Sequence, residues 1–197
     1  KAEDVIRDSV ASRGLGDVYK RQNKSYPYAG LTEFNTSVNG GVMRLAPIVI
    51  WSRHMFDNAI VDSVRQSMLT HSSEHCIRYA QMMGAILWKG KLNPEHIPGF
   101  HLCNLPLDDD WPEAGGDVMS AMKAAVWAVQ GAATFEDALI RAVNLGGDSD
   151  TVGAIAGQIA GRIYGASAFP KRWIKALINE KEIRSLAAQL FNNAPTT

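Results

Sequence analysis

At 197 residues, 46% of them hydrophobic and 20% charged, the chain can bury one core and lacks the composition of a disordered segment. Twenty basic residues balance twenty acidic ones, which excludes the basic surplus of a phosphate-backbone binder. The two cysteines, Cys76 and Cys103, are too few for a disulfide framework, no apolar leader opens the chain, and no apolar run approaches the ~20 residues of a membrane span. These features predict a reduced, cytoplasmic domain with no nucleic-acid surface and no membrane surface.

Residues 1–22 carry neither a helical nor a strand period, read as a non-native or disordered start, and are set aside from the domain predicted over 23–197. From Asn39, "VNGGVMRLAPIVIW" opens with a Gly-Gly turn and enters an apolar segment around Pro47. "MFDNAIVDSVRQSMLTH" puts Met55, Ile60, Val64, Met68 and Leu69 at helical spacing. The next helix carries Cys76, Tyr79, Met83, Ile86 and Leu87 on one stripe, with Ser72 or Ser73 as its N-cap. Met82 and Met83 read as core filler.

"KLNPEHIPGFHLCNLPLDDDWPEAGG" holds four of the eight prolines and reads as a long loop, with Asp108, Asp109 and Asp110 as a solvated acidic stretch. "DVMSAMKAAVWAVQGA" and "TFEDALIRAVNLGG" resume the helical period, with Trp127 in the core. Thr134 and Asp137 form a capping box that uses Asp for Glu, and Gly146 and Gly147 end the second of these helices. One further helix follows Thr151 and another lies in "FPKRWIKALINEKEIRSLAAQLF", broken near Asn179, with Trp173 in the core. No alternating strand pattern appears, so the fold class is all-α.

The chemistry concentrates in "NLGGDSDTVGAIAGQIAGRIYG", residues Asn144 to Gly165. Asp148, Ser149, Asp150 and Thr151 stand at a helix start, where one such residue suffices as an N-cap worth about 1 kcal/mol. Two carboxylates at i and i+2 with a following hydroxyl can instead converge on a hard cation. A phosphotransferase nucleophile loop would need a buried strand before its aspartate, whereas "FEDALIRAVNL" has helical spacing. Gly153, Gly157, Gly161 and Gly165 recur every fourth residue, and each costs roughly 0.8–1 kcal/mol relative to alanine unless close packing compensates. The ridge therefore predicts a central helix with a neighbouring backbone pressed against it. Gln158 and Arg162 interrupt its apolar face.

This 22-residue string closely resembles the C-terminal signature of the ADP-ribosylglycohydrolase family, which includes the dinitrogenase-reductase-activating glycohydrolases. "VNGGVMRLAP" resembles that family's asparagine–glycine loop, "LTH" at Leu69 to His71 its threonine–histidine motif, and "FPKRW" at Phe169 to Trp173 its proline–tryptophan ending. The resemblance runs from about Ser37 to Phe191. It implies a compact multi-helix domain that hydrolyses the glycosidic bond between ADP-ribose and a protein side chain or small acceptor, with two Mg²⁺ or Mn²⁺ ions in the cleft. Asp148, Asp150 and Thr151 would be the C-terminal metal ligands. Asn39, Gly40, Gly41, His71 and Gly147 would face the substrate, with glycine in the loop so that backbone N–H groups can approach the ligand.

The family's other ligand set, a threonine–aspartate–aspartate–threonine segment near its N-terminus, has no counterpart before Asn39, where the acids are Glu3, Asp4, Asp8, Asp17 and Glu33. That departure predicts a domain incomplete at its N-terminus. It also keeps open a catalytically impaired helical module that binds ADP-ribose. His71 could equally cap or pack a helix end, and Arg44 could hold a phosphate or pair with an acid.

Overall fold

The computed structural model describes Gly30, residues 37–92 and residues 112–196. The segment 1–22, the acidic stretch Asp108 to Asp110, Cys103 and most of the predicted loop lie outside the described residues. Among those residues the chain forms eight α-helices: α1 (Ala46–Trp51), α2 (Phe56–Met68), α3 (Glu74–Lys89), α4 (Val118–Gln130), α5 (Phe135–Asn144), α6 (Ser149–Tyr164), α7 (Lys171–Ala176) and α8 (Glu180–Asn192). There is no strand among them, only an antiparallel bridge pairing Val38 with Asp117, so the architecture is all-α.

Local chemistry sets the helix starts. The Ser73 side chain accepts from the Cys76 N–H and caps α3, while Ser72 donates instead to the Met68 carbonyl. Asp117 caps α4 by accepting from the Met119 and Ser120 N–H groups. Thr134 accepts from the Asp137 N–H, and Asp137 accepts in return from the Ala133 N–H, one residue earlier than a standard capping box would reach. The break near Asn179 is real: this residue takes a left-handed conformation (φ 61°) between α7 and α8.

The core lies where α3, α4 and α6 meet. Met82, Met83, Ile86, Met122, Val126, Ile155 and Ile159 are all fully buried there. Helix α5 lies against α4 and α6, and α2 lies against α3. Trp127 and Trp173 pack partly buried against this core, Trp127 beneath the Arg141 guanidinium at 4.2 Å and Trp173 edge-on to Phe135. Arg172 and Glu136 tie α7 to α5, and the guanidinium hydrogen bond holds the Glu136 carboxyl below its ordinary range. Burial pushes the Cys76 thiol up, and its Sγ donates to the Val38 carbonyl.

The helix expected between Met55 and Leu69 forms with a buried face of small residues, whereas the close backbone packing expected at the α6 ridge is not found. In α2 the buried face is Ala59, Ser63 and Ser67, whereas Met55 and Leu69 flank the helix and are exposed. The spacing of large apolar residues is helical, but α2 sinks its small residues onto α3, which brings the two backbones close. The glycine ridge of α6 has the opposite outcome. No neighbouring backbone presses on it: a Cβ at Gly153 would approach Val143 Cγ2 at 3.3 Å, one at Gly157 would meet Leu139 Cδ1 at 3.6 Å, and one at Gly161 would meet Phe169 at 3.8 Å. The ridge faces side chains of α5 and of the α6–α7 connection, at mostly ordinary van der Waals spacing.

Candidate active site at the start of α6

Two left-handed glycines, Gly146 (φ 74°) and Gly147 (φ 57°), turn the chain from α5 into α6. Gly147 has two reasons to be glycine, since its φ disfavours side chains and a Cβ there would overlap the Ala114 carbonyl oxygen. That carbonyl accepts from the Asp148 N–H at 2.9 Å and fixes the entry to the helix.

Asp148 holds the N-cap position of α6, yet its side chain makes no cap hydrogen bond. Its Oδ2 instead accepts from Asn39 Nδ2 at 2.5 Å, across 109 positions of sequence. Asn39 is buried, at 4% exposure, at the start of a 3₁₀ turn over Asn39–Gly41. The carboxylate is thus aimed by a buried amide instead of being used as a helix cap. Asp150 is exposed in the first turn of α6, and Thr151 is buried at 5%.

The predicted substrate-facing residues gather at the same place. His71 stands directly over Gly40, where a Cβ would lie 2.8 Å from the imidazole Cε1 and 2.9 Å from Nε2. Gly41 likewise makes room for Ser67, whose Oγ donates to the His71 carbonyl. Within the fold, the missing side chains at Gly40 and Gly41 are thus explained by the protein's own His71 and Ser67. His71 Nδ1 is 2.6 Å from Thr70 Oγ1, and Arg44 donates to the same hydroxyl. The structure brings Asn39, Gly40, Gly41 and His71 into one cluster, and the Asn39–Asp148 bond joins that cluster to the α6 start with its Gly147 turn, Asp150 and Thr151.

The donor chemistry at the α6 start suits a hard divalent cation, with two carboxylates and a hydroxyl within four residues. Among the described residues no three His, Cys, Asp or Glu side chains come together as a metal-ligating group. A metal set built on Asp148 and Asp150 would need Thr151, or further acids, to be complete.

Sequence reasoning missed Gln158. Its Oε1 accepts from the Ala46 N–H at 2.7 Å, and its Nε2 donates to the carbonyls of Val42, Met43 and Ala154. Arg162, one turn on, donates to the Leu87 and Trp88 carbonyls at the end of α3. The signal was a pair of polar residues on an apolar face, Gln158 and Arg162, which read as interruptions until their partners are known.

An all-helical domain, with an aspartate-bearing helix start faced by an Asn-Gly-Gly turn and a histidine, defines the class of protein. The chain belongs to the ADP-ribosylglycohydrolase family, whose model matches residues 7–197. It is 35% identical over 181 residues to the ADP-ribosylarginine hydrolase Tri1 of Serratia proteamaculans, covering 84% of this chain and 50% of that protein. The corresponding match to Tri1 of Pseudomonas putida is 33% over 176 residues, covering 82% and 47%. A shorter match, 49% identical over 53 residues, joins it to the ADP-ribosyl-[dinitrogen reductase] glycohydrolase of Rhodospirillum rubrum, covering 26% of this chain and 18% of that protein. A solved structure described as an ADP-ribosylglycohydrolase-related protein complex superposes with a TM-score of 0.80 at 29% identity, covering 98% of this chain and 71% of the other. The chain spans about half the length of the two Tri1 proteins. Among the described residues no helix is long and apolar enough to cross a membrane.

Proposed function

We propose that this domain binds the ADP-ribosyl group of an ADP-ribosylated protein or small conjugate and takes part in hydrolysing its glycosidic bond, with arginine as the acceptor. The Tri1 relatives support the arginine linkage. The observation that carries the reading is the Asp148 carboxylate, which declines to cap its own helix and is held by the buried Asn39 amide against the Asn-Gly-Gly turn.

In this reading water adds to the anomeric carbon of the ribose, the carbon–nitrogen bond to the guanidine breaks, and the leaving nitrogen takes up the proton. Asp148, Asp150 and Thr151 would hold Mg²⁺ or Mn²⁺, which when bound supplies polarisation of hydroxyl groups and a lowered water pKa. Asn39 orients Asp148 by donating to one oxygen, which leaves the other available. His71 lies against Gly40, where a ribose or phosphate group reaching the turn would meet the imidazole. Glycosidic hydrolysis also needs a group to manage the proton of the attacking water.

A second reading rests on the same donor set. With two carboxylates at the α6 start and no counterpart of the family's second acidic segment before Asn39, the domain would bind ADP-ribose without turnover. Calorimetry with ADP-ribose, with and without Mn²⁺, followed by an assay of ADP-ribose release from ADP-ribosylarginine, separates the two. Metal-dependent binding with release supports hydrolysis, and Asp148→Asn should abolish it. Binding without release supports the second reading. No binding under either condition overturns both.

A further inference from the structure

We infer that Gln158 is a positioning residue for the candidate site: its side-chain amide registers the Asn39 turn against α6 and thereby sets Asn39 on Asp148. The backbone around the turn leaves polar groups that need partners. The 3₁₀ turn over Asn39–Gly41 ends without continuing into a helix, so the carbonyls of Val42 and Met43 lack helical partners, while the Ala46 N–H, at the first turn of α1, is an orphan donor. Serving both needs a group that accepts and donates from one place. A carboxylate only accepts and an ammonium only donates, whereas a primary amide does both. Gln158 fills all three roles, accepting from Ala46 at 2.7 Å and donating to Met43 at 2.9 Å and to Val42 at 3.2 Å.

Helical geometry makes this contact consequential. Gln158 is seven residues beyond Thr151, two turns along, so it lies on the face of α6 that begins with Thr151. The strand of chain from Asn39 to Ala46 is therefore pinned to α6 at both ends, by Asn39 on Asp148 and by Val42 to Ala46 on Gln158, positions separated by about 15 Å of helix. His71, Ser67 and the Val38–Asp117 bridge hold the turn against α2, α3 and α4, and Gln158 adds a second fixed point that sets its register along α6. Gln158 contributes nothing to the reacting atoms itself; it acts through Asn39.

The test combines a readout that needs no ligand with one that rests on the proposed function. Gln158→Met keeps the volume and removes the hydrogen bonds, and Gln158→Glu keeps the acceptor toward Ala46 but sets a charge against the carbonyls of Val42, Met43 and Ala154. Nitrogen–proton NMR of the Asn39 side-chain amide, assigned by its disappearance in Asn39→Ala, should show the hydrogen-bonded proton shifted and exchanging faster in both variants, with circular dichroism confirming a native helix content. An unchanged Asn39 amide signal in Gln158→Met overturns the inference. ADP-ribose binding should weaken by about fivefold to tenfold in Gln158→Met, and the Asn39→Ala, Gln158→Met double variant should bind no more weakly than Asn39→Ala alone. Losses that multiply would mean that Gln158 acts independently of Asn39, and would also overturn it. If the wild-type protein fails to bind ADP-ribose, the functional reading fails while the NMR arm still decides the role of Gln158.

Discussion

Gly84 on α3 and Gly157 on α6 both sit on helices that build the core, yet an added methyl group would meet opposite surroundings. At Gly84 a Cβ would lie 2.5 Å from Ser63 Oγ and 3.1 Å from Ser63 Cβ, with the Ala59 carbonyl at 3.6 Å. At Gly157 its nearest neighbour would be one Leu139 methyl at 3.6 Å. Gly84 is a solitary glycine in a sequence of large apolar residues, whereas Gly157 belongs to a regular ridge that advertises close packing. The difference teaches that periodic glycine marks a helix face without saying what lies against it. The tight crossings here are made elsewhere: Ala59 and Ser63 on α2 lie against Gly84 on α3, and the Asn39 turn lies against Ser67 and His71.

The sharpest way to break this contrast lies at the crowded turn. Asn39→Asp would set a second carboxylate against Asp148 in a site where position 39 is 4% exposed. With no counter-charge it should cost roughly 2–4 kcal/mol at neutral pH. Chemical denaturation measures the loss, and Mn²⁺ should recover part of it if the two acids share a cation. A stability within about 0.5 kcal/mol of the wild type, below what a lost cap costs, would mean that the turn swings away from α6 freely.

Gly147→Ala comes next. The left-handed backbone disfavours a side chain, and the new Cβ would overlap the Ala114 carbonyl that also accepts from Asp148. The expected loss is about 2–3 kcal/mol, read as a lowered denaturation midpoint at constant slope. Because this turn aims Asp148, ADP-ribose binding should fall with it. Gly146→Ala, at a similar φ but with nothing within 4 Å, should show the strain alone, about 1–2 kcal/mol.

Gly84→Ala sharpens the comparison on the helices. The overpacking against Ser63 costs about 1–3 kcal/mol and the gain in helix propensity returns about 1 kcal/mol, so the net should be a destabilisation of up to 2 kcal/mol or so. Among the described residues Ser63 Oγ bonds the Ala59 carbonyl of its own helix alone, so Ser63→Ala should be nearly neutral by itself and should rescue Gly84→Ala. That coupling is the signature of direct contact, and additive effects would show that α2 and α3 slide apart instead.

These cases also show what was legible in the sequence and why the rest was not. The helices from α2 onward were, because the 3.6-residue period and the caps at Ser73 and Thr134 are local, and so was the acidic start of α6, whereas α1 read only as an apolar segment. The face that α2 buries was not, since Ala59, Ser63 and Ser67 look like a solvent-facing stripe until Gly84 and Gly41 are placed opposite them. The bond between Asn39 and Asp148 joins residues 109 apart, and no local pattern encodes it. Gln158 was legible only as a break in an apolar face, because its value lies in backbone groups brought to it by the folded chain.

The smallest expected effect carries the opposite sign. Gly157→Ala puts a methyl group at ordinary contact distance from Leu139, with no backbone to displace and no left-handed φ to strain. What remains is the helix term, because glycine in a helix interior costs roughly 0.8–1 kcal/mol relative to alanine. The substitution should therefore stabilise by up to about 1 kcal/mol, raising Tm by roughly 2–4 °C for a chain of this size. A lowered Tm would mean that α5 sits closer to the ridge in solution, and the ridge would then be a packing surface like the one at Gly84. A raised Tm would leave the four-residue glycine period without a packing reason at that position.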